Sequence, residues 1–397
     1  MKRPFVFTSE SVTEGHPDKL CDQISDAFVD HILRRDPYAR VVAECAVSNA
    51  IVFIAARFDT PNPVDFPYIA REVIDQVGYA EPQFNAKTCT VVTSLREMPP
   101  DEYSRFDEKN LTYDEIDRVV VRNQATIFGF ACTQTPAFMP LPIWLAHKLA
   151  RRLTSVRLRK MLPDLGPDGW TQVAVEYEGR RPSRIHSITV IASTTRQDTT
   201  LKGLRDGLTE AVVAPVFADE PFRPDERTRI FMNPDGLFYG GGPSVHSGLT
   251  GRKNAIDTYG EYSRHSGAAL SGKDPLRIDR TGAYAARYAA KNVVAAGLAE
   301  ECEVLLSYSI GLAQPVSIQV ETFGTGKIPD DEIAARVERH LDFRPAAILR
   351  QFNLRYLPST VKGGFYRRLA SYGHVGRMDI GLPWEVTDKA HLLQSGS

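Results

Sequence analysis

Cysteine is scarce in this sequence of 397 residues, and its few copies lie far apart. The five cysteines are Cys21, Cys45, Cys89, Cys132 and Cys302, an odd number with no CxxC pair among them. A disulfide framework or a structural zinc site needs cysteines in closer groups, so this spacing disfavours both. The cysteine content therefore predicts a protein of the reducing cytoplasm.

An excess of charge of either sign is also missing. The chain has 48 basic and 49 acidic residues, which give a formal net charge of −1. No field of the whole protein then attracts nucleic acid or an anionic membrane, so any anion site must be a local cluster. No apolar run reaches about 18 residues, and the start, MKRPFVFTSES, turns polar too early for a signal peptide. We expect no nucleic-acid partner and no membrane partner.

What is present is an average globular composition, with 43 % hydrophobic and 24 % charged residues. This composition argues against long disorder and against a coiled coil. At roughly 150 residues per domain, the length allows two or three domains.

One order of elements occurs three times along the chain: a helix-forming segment, two strands of a hairpin, a helix and a last strand. The predicted hairpin strands, helix and last strand are 41–47, 50–58, 64–77 and 88–95; then 171–177, 185–193, 201–216 and 228–232; then 302–311, 316–324, 330–341 and 347–354. The hairpins begin roughly 130 residues apart, which favours a true repeat over chance recurrence of a common motif. We predict an α+β fold of three pseudo-symmetric modules, each with a mixed β-sheet and helices on one face.

The predicted modules are interleaved in space and have approximate boundaries in the sequence. The first spans 1–125 and contains a polar, gate-like loop at 96–115. The second spans 126–235. The third spans 236–397 and begins with a segment rich in glycine, lysine and arginine.

This glycine-rich segment is the first candidate for chemistry. Glycine lets the backbone approach a ligand closely and turn its N–H groups toward an anion. The charged residues between the glycines include Arg252, Lys253, Lys273 and Arg277, which suit phosphate oxygens, and Asp274 and Asp279, which suit a hard divalent cation. No Walker P-loop pattern is present, and an ordinary surface loop with solvated charges is the alternative.

The second candidate is the run Gly15-His16-Pro17-Asp18-Lys19, immediately before the first predicted helix. A lone histidine is most often structural. A histidine flanked by an aspartate and a lysine at the start of a helix can also hold an anion together with a metal ion.

Four segments resemble the signature segments of methionine adenosyltransferases, also called S-adenosylmethionine synthetases. They are FTSESVTEGHPDKLCDQISD, GLTGRK, DTYGEYSRHSGAALSGKDPLRIDRTGAYAARYAAKN and SYGHVGR, and the likeness runs from Phe7 to about Lys389. The resemblance implies three pseudo-symmetric modules and a homodimer or dimer of dimers, with active sites between two subunits. It also implies Mg²⁺, with two ions expected, and K⁺ as cofactors.

The reaction implied by this resemblance is an in-line displacement at C5′ of ATP. The sulfur of methionine attacks C5′, the whole triphosphate leaves, and it is then cleaved to diphosphate and phosphate. A thioether sulfur carries no proton, so the reaction needs no general base; alignment and stabilisation of the departing polyanion remain.

The resemblance also assigns roles to individual residues. His16 would stabilise the leaving oxygen at the C5′–O5′ bond, Phe238 would stack on adenine, and Glu10 would lie near the nucleoside. The implied catalytic residues are His16, Lys19, Arg252, Lys253, Lys273 and Arg277, and the implied ATP-binding residues are Glu10, His16, Asp168, Phe238, Arg252, Lys253, Lys273 and Arg277. The implied metal ligands are Asp18 and Asp279 for Mg²⁺ and Glu44 for K⁺. Arg277 stands where the family has lysine, which keeps the charge but changes its geometry.

The sequence departs from the family pattern on the side of the amino acid. Arg57, Asn123 and His246 stand where the family has carboxylates that bind methionine, and the family's QSPDI stretch has no clear counterpart. Trp170 replaces a phosphate-binding lysine, which predicts slower cleavage of triphosphate. Burial of an ammonium group beside Arg57 is unfavourable. We therefore predict an acceptor other than methionine: a carboxylated thioether, a thiol or another soft nucleophile.

Three other functions stay open at this point. They are ordinary synthesis of S-adenosylmethionine, hydrolysis of tripolyphosphate or ATP, and a non-catalytic subunit that binds a catalytic homologue.

Overall fold

The computed structural model describes residues 4–99, 101 and 104–395. The strands are β1 (Phe5–Val12), β2 (Arg40–Ser48), β3 (Ile51–Asp59), β4 (Ala80–Glu81), β5 (Phe84–Asn85), β6 (Thr90–Glu97), β7 (Ala125–Cys132), β8 (Leu165–Glu178), β9 (Arg181–Thr194), β10 (Arg229–Met232), β11 (Phe238–Tyr239), β12 (Gly248–Leu249), β13 (Glu301–Tyr308) and β14 (Ser317–Glu321). The helices are α1 (Pro17–Arg35), α2 (Phe66–Val77), α3 (Tyr113–Ile116), α4 (Leu141–Leu158), α5 (Leu201–Leu208), α6 (Ala214–Phe217), α7 (Asn254–Asp257), α8 (Ile278–Ala295), α9 (Asp330–His340), α10 (Pro345–Phe352), α11 (Leu357–Thr360), α12 (Tyr366–Leu369) and α13 (Ala390–Ser395).

Three sheets repeat one arrangement, which confirms the predicted modules. Each is built on an antiparallel hairpin: β2–β3 in the first sheet, β8–β9 in the second and β13–β14 in the third. A last strand adds in parallel to the second hairpin strand in two of them, β6 beside β3 and β10 beside β9. The order of strands is therefore the same in the first two sheets.

Each sheet also receives an outer strand from a distant part of the chain. Strand β12 pairs antiparallel with β2, β1 pairs with β8, and β7 pairs with β13. The sheets are therefore linked to one another through exchanged strands. The sequence boundaries at 1–125, 126–235 and 236–397 stay predictions.

The third module differs from the prediction at its end. The segment 347–354, predicted as a strand, lies mostly within helix α10, and the third sheet is antiparallel because it has no parallel last strand. Pro345 starts this helix, and Asn353, with φ of 53°, ends it in the left-handed region. Ile348 and Phe352 are both buried at a spacing of one helical turn. The strand prediction was wrong because a short apolar run does not distinguish a strand from a buried helix.

The predicted gate-like loop at 96–115 is partly described; residues 100, 102 and 103 lie outside the described residues. Ion pairs attach the rest of the loop to the body of the protein. The guanidinium group of Arg105 lies 2.9 Å from a carboxylate oxygen of Asp36 and 3.0 Å from one of Asp59. Arg355 lies 3.1 Å from Glu108.

A long helix covers one face of each sheet. Helix α1 packs on β2, α4 packs on β8 and β1, and α8 packs on β7 and β13. Among the described residues, none of these helices, nor any other, is long and apolar enough to cross a membrane. Helix α8 lies close against its sheet at Gly129 of β7, where an added Cβ would lie 2.0 Å from the carbonyl carbon of Ala286.

We predict that Gly129→Ala destabilises the protein, because backbone atoms of α8 have no room to move away from a new methyl group. Overpacking of this kind typically costs about 1–3 kcal/mol. Urea unfolding of the variant measures the loss. Gly381→Ala is the control, since an added Cβ at this glycine meets nothing within 4 Å. Equal free energies of unfolding for the two variants would contradict the close packing.

Candidate functional site

The candidate site begins at the N-terminus of helix α1. The side chain of His16 caps the helix: its Nδ1 accepts a hydrogen bond from the N–H of Asp18 at 3.1 Å. A neutral imidazole that accepts at Nδ1 carries its proton at Nε2, so His16 presents an N–H donor on the other side of the ring. Burial, and then the neighbouring His246 ring and the positive charge of Lys253, lower the pKa of His16 to about 2. His16 is therefore a neutral donor at physiological pH.

His16 belongs to a group of rings and one carboxylate that we call the histidine cluster: His16, Asp168, Trp170, Phe238 and His246. The ring centroids of His16 and His246 are 5.0 Å apart, and that of Trp170 lies 5.4 Å from His16 and 5.2 Å from His246. Phe238 lies 5.3 Å from Trp170. Strand β8 supplies Asp168 and Trp170, and β11 supplies Phe238.

Asp168 holds the histidine cluster together. Its Oδ2 accepts hydrogen bonds from the N–H of Gly242 and from Nε2 of His246, both at 2.7 Å. Its other oxygen is buried without a hydrogen-bond partner in the described part of the chain. Burial raises the pKa of Asp168, and the hydrogen bond from His246 opposes this effect. The carboxylate therefore fixes the orientation of the His246 ring.

Charged side chains continue from the histidine cluster into what we call the Asp18 cluster: Glu10, Asp18, Arg252 and Lys253. Nε of Arg252 lies 3.5 Å from Oδ1 of Asp18, and Nζ of Lys253 lies 4.0 Å from Oδ2. Lys253 also lies 3.4 Å from Glu10 on β1. Oδ2 of Asp18 lies 3.8 Å from Nδ1 of His16, so the two clusters form one continuous surface.

A separate group, the lysine cluster, consists of Asn123, Lys273 and Asp279. Nζ of Lys273 and the amide nitrogen of Asn123 lie 2.9 Å and 3.2 Å from Oδ2 of Asp279. Lys273 forms an isolated bridge with Val42 of β2, and Val42 pairs across the sheet with Arg57. Arg57 is exposed on the outer face of the first sheet, in the same row of the sheet as Lys273.

The three residues predicted as an acceptor pocket are thus divided within one chain. His246 belongs to the histidine cluster, Asn123 belongs to the lysine cluster, and Arg57 lies on the open sheet face beside it. None of the three clusters contains all three of these residues.

The other predicted residues lie in different environments. Glu44 is exposed on β2, and Arg277 is at the N-cap position of α8. Lys19 is fully buried, 2.9 Å from Asp22 and in direct contact with Asp257. Burial alone lowers the pKa of Lys19, but the two carboxylates raise it above its ordinary value. Lys19 therefore lies beneath the site and not on its surface.

The two carboxylates predicted to bind Mg²⁺ lie in different clusters, Asp18 in one and Asp279 in the other. Within the described ranges, no group of three or more histidine, cysteine, aspartate or glutamate side chains could hold a metal. Mg²⁺ commonly takes one or two carboxylates and completes its shell with water and substrate phosphates. Each aspartate fits that mode of binding as a single carboxylate ligand, and the cations beside it suit the same phosphates.

Sequence reasoning missed the residues that support the site from below. Asp22 and Asp257 contact Lys19, and the backbone N–H of His374 donates to the carbonyl of Asp257 at 2.8 Å. The hydroxyl of Tyr79 donates to the carbonyl of Gly15. One signal was readable: aspartates recur every fourth residue in α1, which places them on one face of the helix.

We predict that His16 makes the stability of the protein depend on pH. The unfolded imidazole takes up a proton below about pH 6.5, whereas the folded one does not until about pH 2. The stabilisation is thus complete above about pH 6.5 and is lost as the pH falls toward 2, by up to ~1.4 kcal/mol per pH unit. His16→Asn, which keeps a capping side chain, should show a flatter decline of the free energy of unfolding between about pH 6 and pH 4.5.

Denaturant titrations at several pH values measure this slope. His391→Asn, at an exposed position of α13, is the control and should keep the slope of the original protein. A slope unchanged in His16→Asn would mean that His16 is protonated in the folded protein.

Curated proteins of known name resemble this chain over almost its whole length. The S-adenosylmethionine synthase of Synechococcus sp. (strain JA-2-3B'a(2-13)) is 50% identical over 402 residues, which cover 98% of this chain and 97% of that protein. The S-adenosylmethionine synthase of Rippkaea orientalis (strain PCC 8801 / RF-1) is 48% identical over 408 residues, covering 99% and 97%. These names do not support the predicted non-methionine acceptor; ordinary S-adenosylmethionine synthesis agrees with them better.

Three family models match consecutive parts of the chain. The N-terminal domain of S-adenosylmethionine synthetase matches residues 4–100, the central domain matches 118–238, and the C-terminal domain matches 240–386. The matched ranges contain the histidine cluster, the Asp18 cluster and the lysine cluster. From the shared fold, the matched domains and the identity to named synthases, it follows that this chain belongs to the S-adenosylmethionine synthetase family and is an adenosyltransferase of that type.

Proposed function

We propose that this protein transfers the 5′-adenosyl group of ATP to the sulfur of methionine, with triphosphate as the leaving group. The observation that carries the proposal is the continuous surface of the histidine and Asp18 clusters, where a neutral histidine donor lies beside two cations. The names of the relatives support methionine as the acceptor.

The surface suits the departure of a polyanion from a saturated carbon. Charge develops on O5′ as the C5′–O5′ bond breaks, and about four negative charges on the triphosphate must be stabilised. The Nε2–H of His16 serves as a donor to O5′. Arg252 and Lys253 belong to the adjoining Asp18 cluster. A neutral donor suits this role, because it loses no proton in the step and stays in place as charge develops.

The sulfur nucleophile needs no base, so the acceptor side has to supply orientation. In this proposal Phe238 and Trp170 provide apolar surface for the adenine ring, and Glu10 lies toward the nucleoside. Asp168 lies behind these rings and fixes His246. The ordering of two reactants in line can itself account for much of the rate.

Magnesium is part of this proposal through the two aspartates. Asp18 and Asp279 would each hold a Mg²⁺ ion together with phosphate oxygens of ATP. Bound Mg²⁺ would supply Lewis acidity at those oxygens. Arg277 and Lys273 would add positive charge beside Asp279, and Glu44 is the proposed ligand for K⁺.

We further propose a homodimer or dimer of dimers, in which the outer face of the first sheet is the contact. Leu249, Ala46, Phe53 and Val92 form one row across four strands of this face. Phe53, Val92 and Leu249 are 41%, 45% and 45% exposed, which is unusual for a row of apolar side chains.

A two-fold contact on this face would join the divided parts of the site. Arg57 and Lys273 lie on the same face, two rows away and beyond the row of Ala55 and Glu44, so a second copy packed there would receive the lysine cluster beside its own surface. A complete site would then contain the histidine and Asp18 clusters of one protomer and the lysine cluster of its partner.

We predict that His16→Ala strongly lowers the rate of adenosyl product formation, because the leaving oxygen loses its donor. Loss of one such donor typically costs about 10²–10³ in kcat. Mass spectrometry of reactions with ATP, Mg²⁺, K⁺ and methionine measures the product. His391→Ala is the control and should retain the original rate. Near-normal turnover by His16→Ala would overturn the role of His16.

The same assay, repeated with carboxylated thioethers and with thiols, tests the acceptor. S-Adenosylmethionine formed from methionine supports the proposal. An adduct that forms only with a carboxylated thioether or a thiol would overturn methionine as the acceptor. Phosphate release without any adduct would indicate a hydrolase, and unchanged ATP would indicate a non-catalytic partner.

We predict that Phe53→Glu dissociates the assembly, because two copies of a carboxylate would be buried in the two-fold contact. Analytical ultracentrifugation measures the mass in solution. Val316→Glu, at an exposed position of the third module, is the control and should leave the mass unchanged. A monomeric Phe53→Glu protein with full activity would contradict an active site shared between protomers.

A further inference from the structure

Helix α1 carries four buried aspartates at intervals of four residues. They are Asp18, Asp22, Asp26 and Asp30, which we call the aspartate column, and each is at most 2 % exposed. An aspartate is seldom buried without partners, because removal of its charge from water is costly. Each of the four therefore needs hydrogen-bond donors or a cation close to its carboxylate.

Each member of the column accepts backbone hydrogen bonds from a segment far away in the sequence. The donors are the N–H groups of Leu249 to Asp18 at 3.0 Å, of Gly251 to Asp22 at 2.8 Å, of Gly272 to Asp26 at 2.8 Å, and of Phe365, Tyr366 and Arg367 to Asp30 at 3.0, 3.0 and 2.9 Å. The first three segments carry the cations of the site, whereas the segment 365–367 carries no residue of the three clusters.

The geometry of an α-helix explains how one helix reaches three different loops. Each step of four residues rises about 6 Å and turns about 40° beyond a full circle. Successive aspartates therefore lie about 6 Å apart along the helix axis, and each points about 40° further around the helix than the one before it. The loops meet the column in the same order as their positions in the sequence.

Strand β2 holds the same loops from their other side. The N–H of Cys45 donates to the hydroxyl oxygen of Thr250 at 2.9 Å, and the N–H of Ala43 donates to the carbonyl of Gly272 at 2.8 Å. The residues that follow these contacts are Arg252 and Lys253 in one loop and Lys273 in the other. Each loop is thus fixed at the backbone within one to three residues of its cations.

The orientation of the two middle aspartates is itself fixed by buried cations. Asp22 lies 2.9 Å from Nζ of Lys19, and Asp26 lies 2.5 Å from the guanidinium group of Arg280, with all four side chains buried. Burial raises the pKa of Asp22, and the charge of Lys19 opposes this effect. Asp22 accepts from Lys19 at one oxygen and from Gly251 at the other, whereas Oδ1 of Asp26 accepts from both Arg280 and Gly272. Each loop N–H therefore meets a carboxylate whose position is tied to a buried cation.

We propose that Asp22 and Asp26 are positioning residues of the reaction. Asp22 directs Arg252 and Lys253 toward the triphosphate at the Asp18 cluster of the same protomer, and Asp26 directs Lys273 toward the triphosphate at the partner protomer's site. The inference deepens the proposed function, on which it rests. Neither carboxylate touches substrate; both act through the loop backbone. A displacement of about 1 Å in groups that stabilise a transition state can cost on the order of 100-fold in rate.

The glycines at the two contacts leave little room for other positions of the loops. Gly251 and Gly272 both have φ of +80°, and an added Cβ at Gly272 would lie 2.0 Å from the carbonyl oxygen of Ala43. The N–H groups that reach Asp22 and Asp26 therefore belong to positions whose backbone conformation favours glycine.

Asp30 provides a matched control within the column. Like Asp22 and Asp26 it is buried and accepts backbone hydrogen bonds, but it is not paired with Lys19 or Arg280, and its segment carries no cation of the three clusters. Burial raises the pKa of Asp30 to about 7, so assays at about pH 8 keep most of it ionised. Asp30→Asn then measures the purely structural effect of the loss of one buried carboxylate from α1.

The experiment compares Asp22→Asn, Asp26→Asn and Asp30→Asn by two readouts, after thermal melts have established that each variant is folded at the assay temperature. Calorimetric titration with inorganic tripolyphosphate and Mg²⁺ measures the dissociation constant without turnover. Steady-state kinetics with ATP and methionine give kcat and KM. We expect tripolyphosphate binding about tenfold weaker and kcat lower by about tenfold or more in the Asp22 and Asp26 variants, with an unchanged KM for methionine. Asp30→Asn should stay within about threefold of the original protein in both readouts.

The outcomes separate this proposal from the proposed function. Equal losses in all three variants would overturn the positioning role and leave the column as a structural feature. A parallel rise in the KM for methionine would also overturn it. If the original protein binds tripolyphosphate but forms no S-adenosylmethionine, the proposed function fails, and the binding data still decide the positioning role. Absence of tripolyphosphate binding by the original protein would overturn the positioning role itself.

Discussion

The pairing of buried charges around helix α1 is the constraint on which the rest of the structure depends. Burial of a carboxylate is costly unless hydrogen bonds or a cation compensate for the lost water. Lys19 and Arg280 supply the cations, and backbone N–H groups of distant loops supply the hydrogen bonds. The loops that carry the cations of the site are therefore fixed by the same interactions that allow the helix to be buried.

The cations of the site are held less tightly by carboxylates than the buried cations beneath them. Arg252 is half exposed, and its nearest carboxylate is Asp18 at 3.5 Å, a longer distance than in the buried pairs. His16 is neutral because burial and neighbouring cations disfavour its protonated form. Arg252 and Lys253 thus lie 3.4–4.0 Å from their carboxylates, which leaves N–H donors of both side chains for the oxygens of a polyphosphate.

The division of the site within one chain also follows from the architecture. The histidine cluster draws on the second sheet, to which β1, β8 and β11 belong, whereas the lysine cluster lies at the edge of the first sheet. The exposed apolar row on the first sheet gives a physical reason for a second copy to pack there. Arg57, Asn123 and His246 predict a different acceptor from the sequence alone, but the names of the relatives agree better with ordinary S-adenosylmethionine synthesis.

The sequence determined the three hairpins, the order of the modules and the polar signature segments, because these depend on local patterns of apolar residues and on short motifs. His16, Asp18, Arg252 and Lys253 could be identified before any coordinates were known, and the structure brings them together. Helix α10 could not be identified, since its apolar run suits a strand equally well and only its packing in the third module decides between them.

Tertiary structure alone decided which residues meet across long separations. The hydrogen bond from His246 to Asp168, the pairing of Lys19 with Asp257 and the loops held by α1 each join residues more than 70 positions apart. The exchange of β1, β7 and β12 between sheets is of the same kind. Local propensity carries no information on such contacts, because they form only when distant parts of the chain are buried together and must satisfy one another's charges and hydrogen bonds.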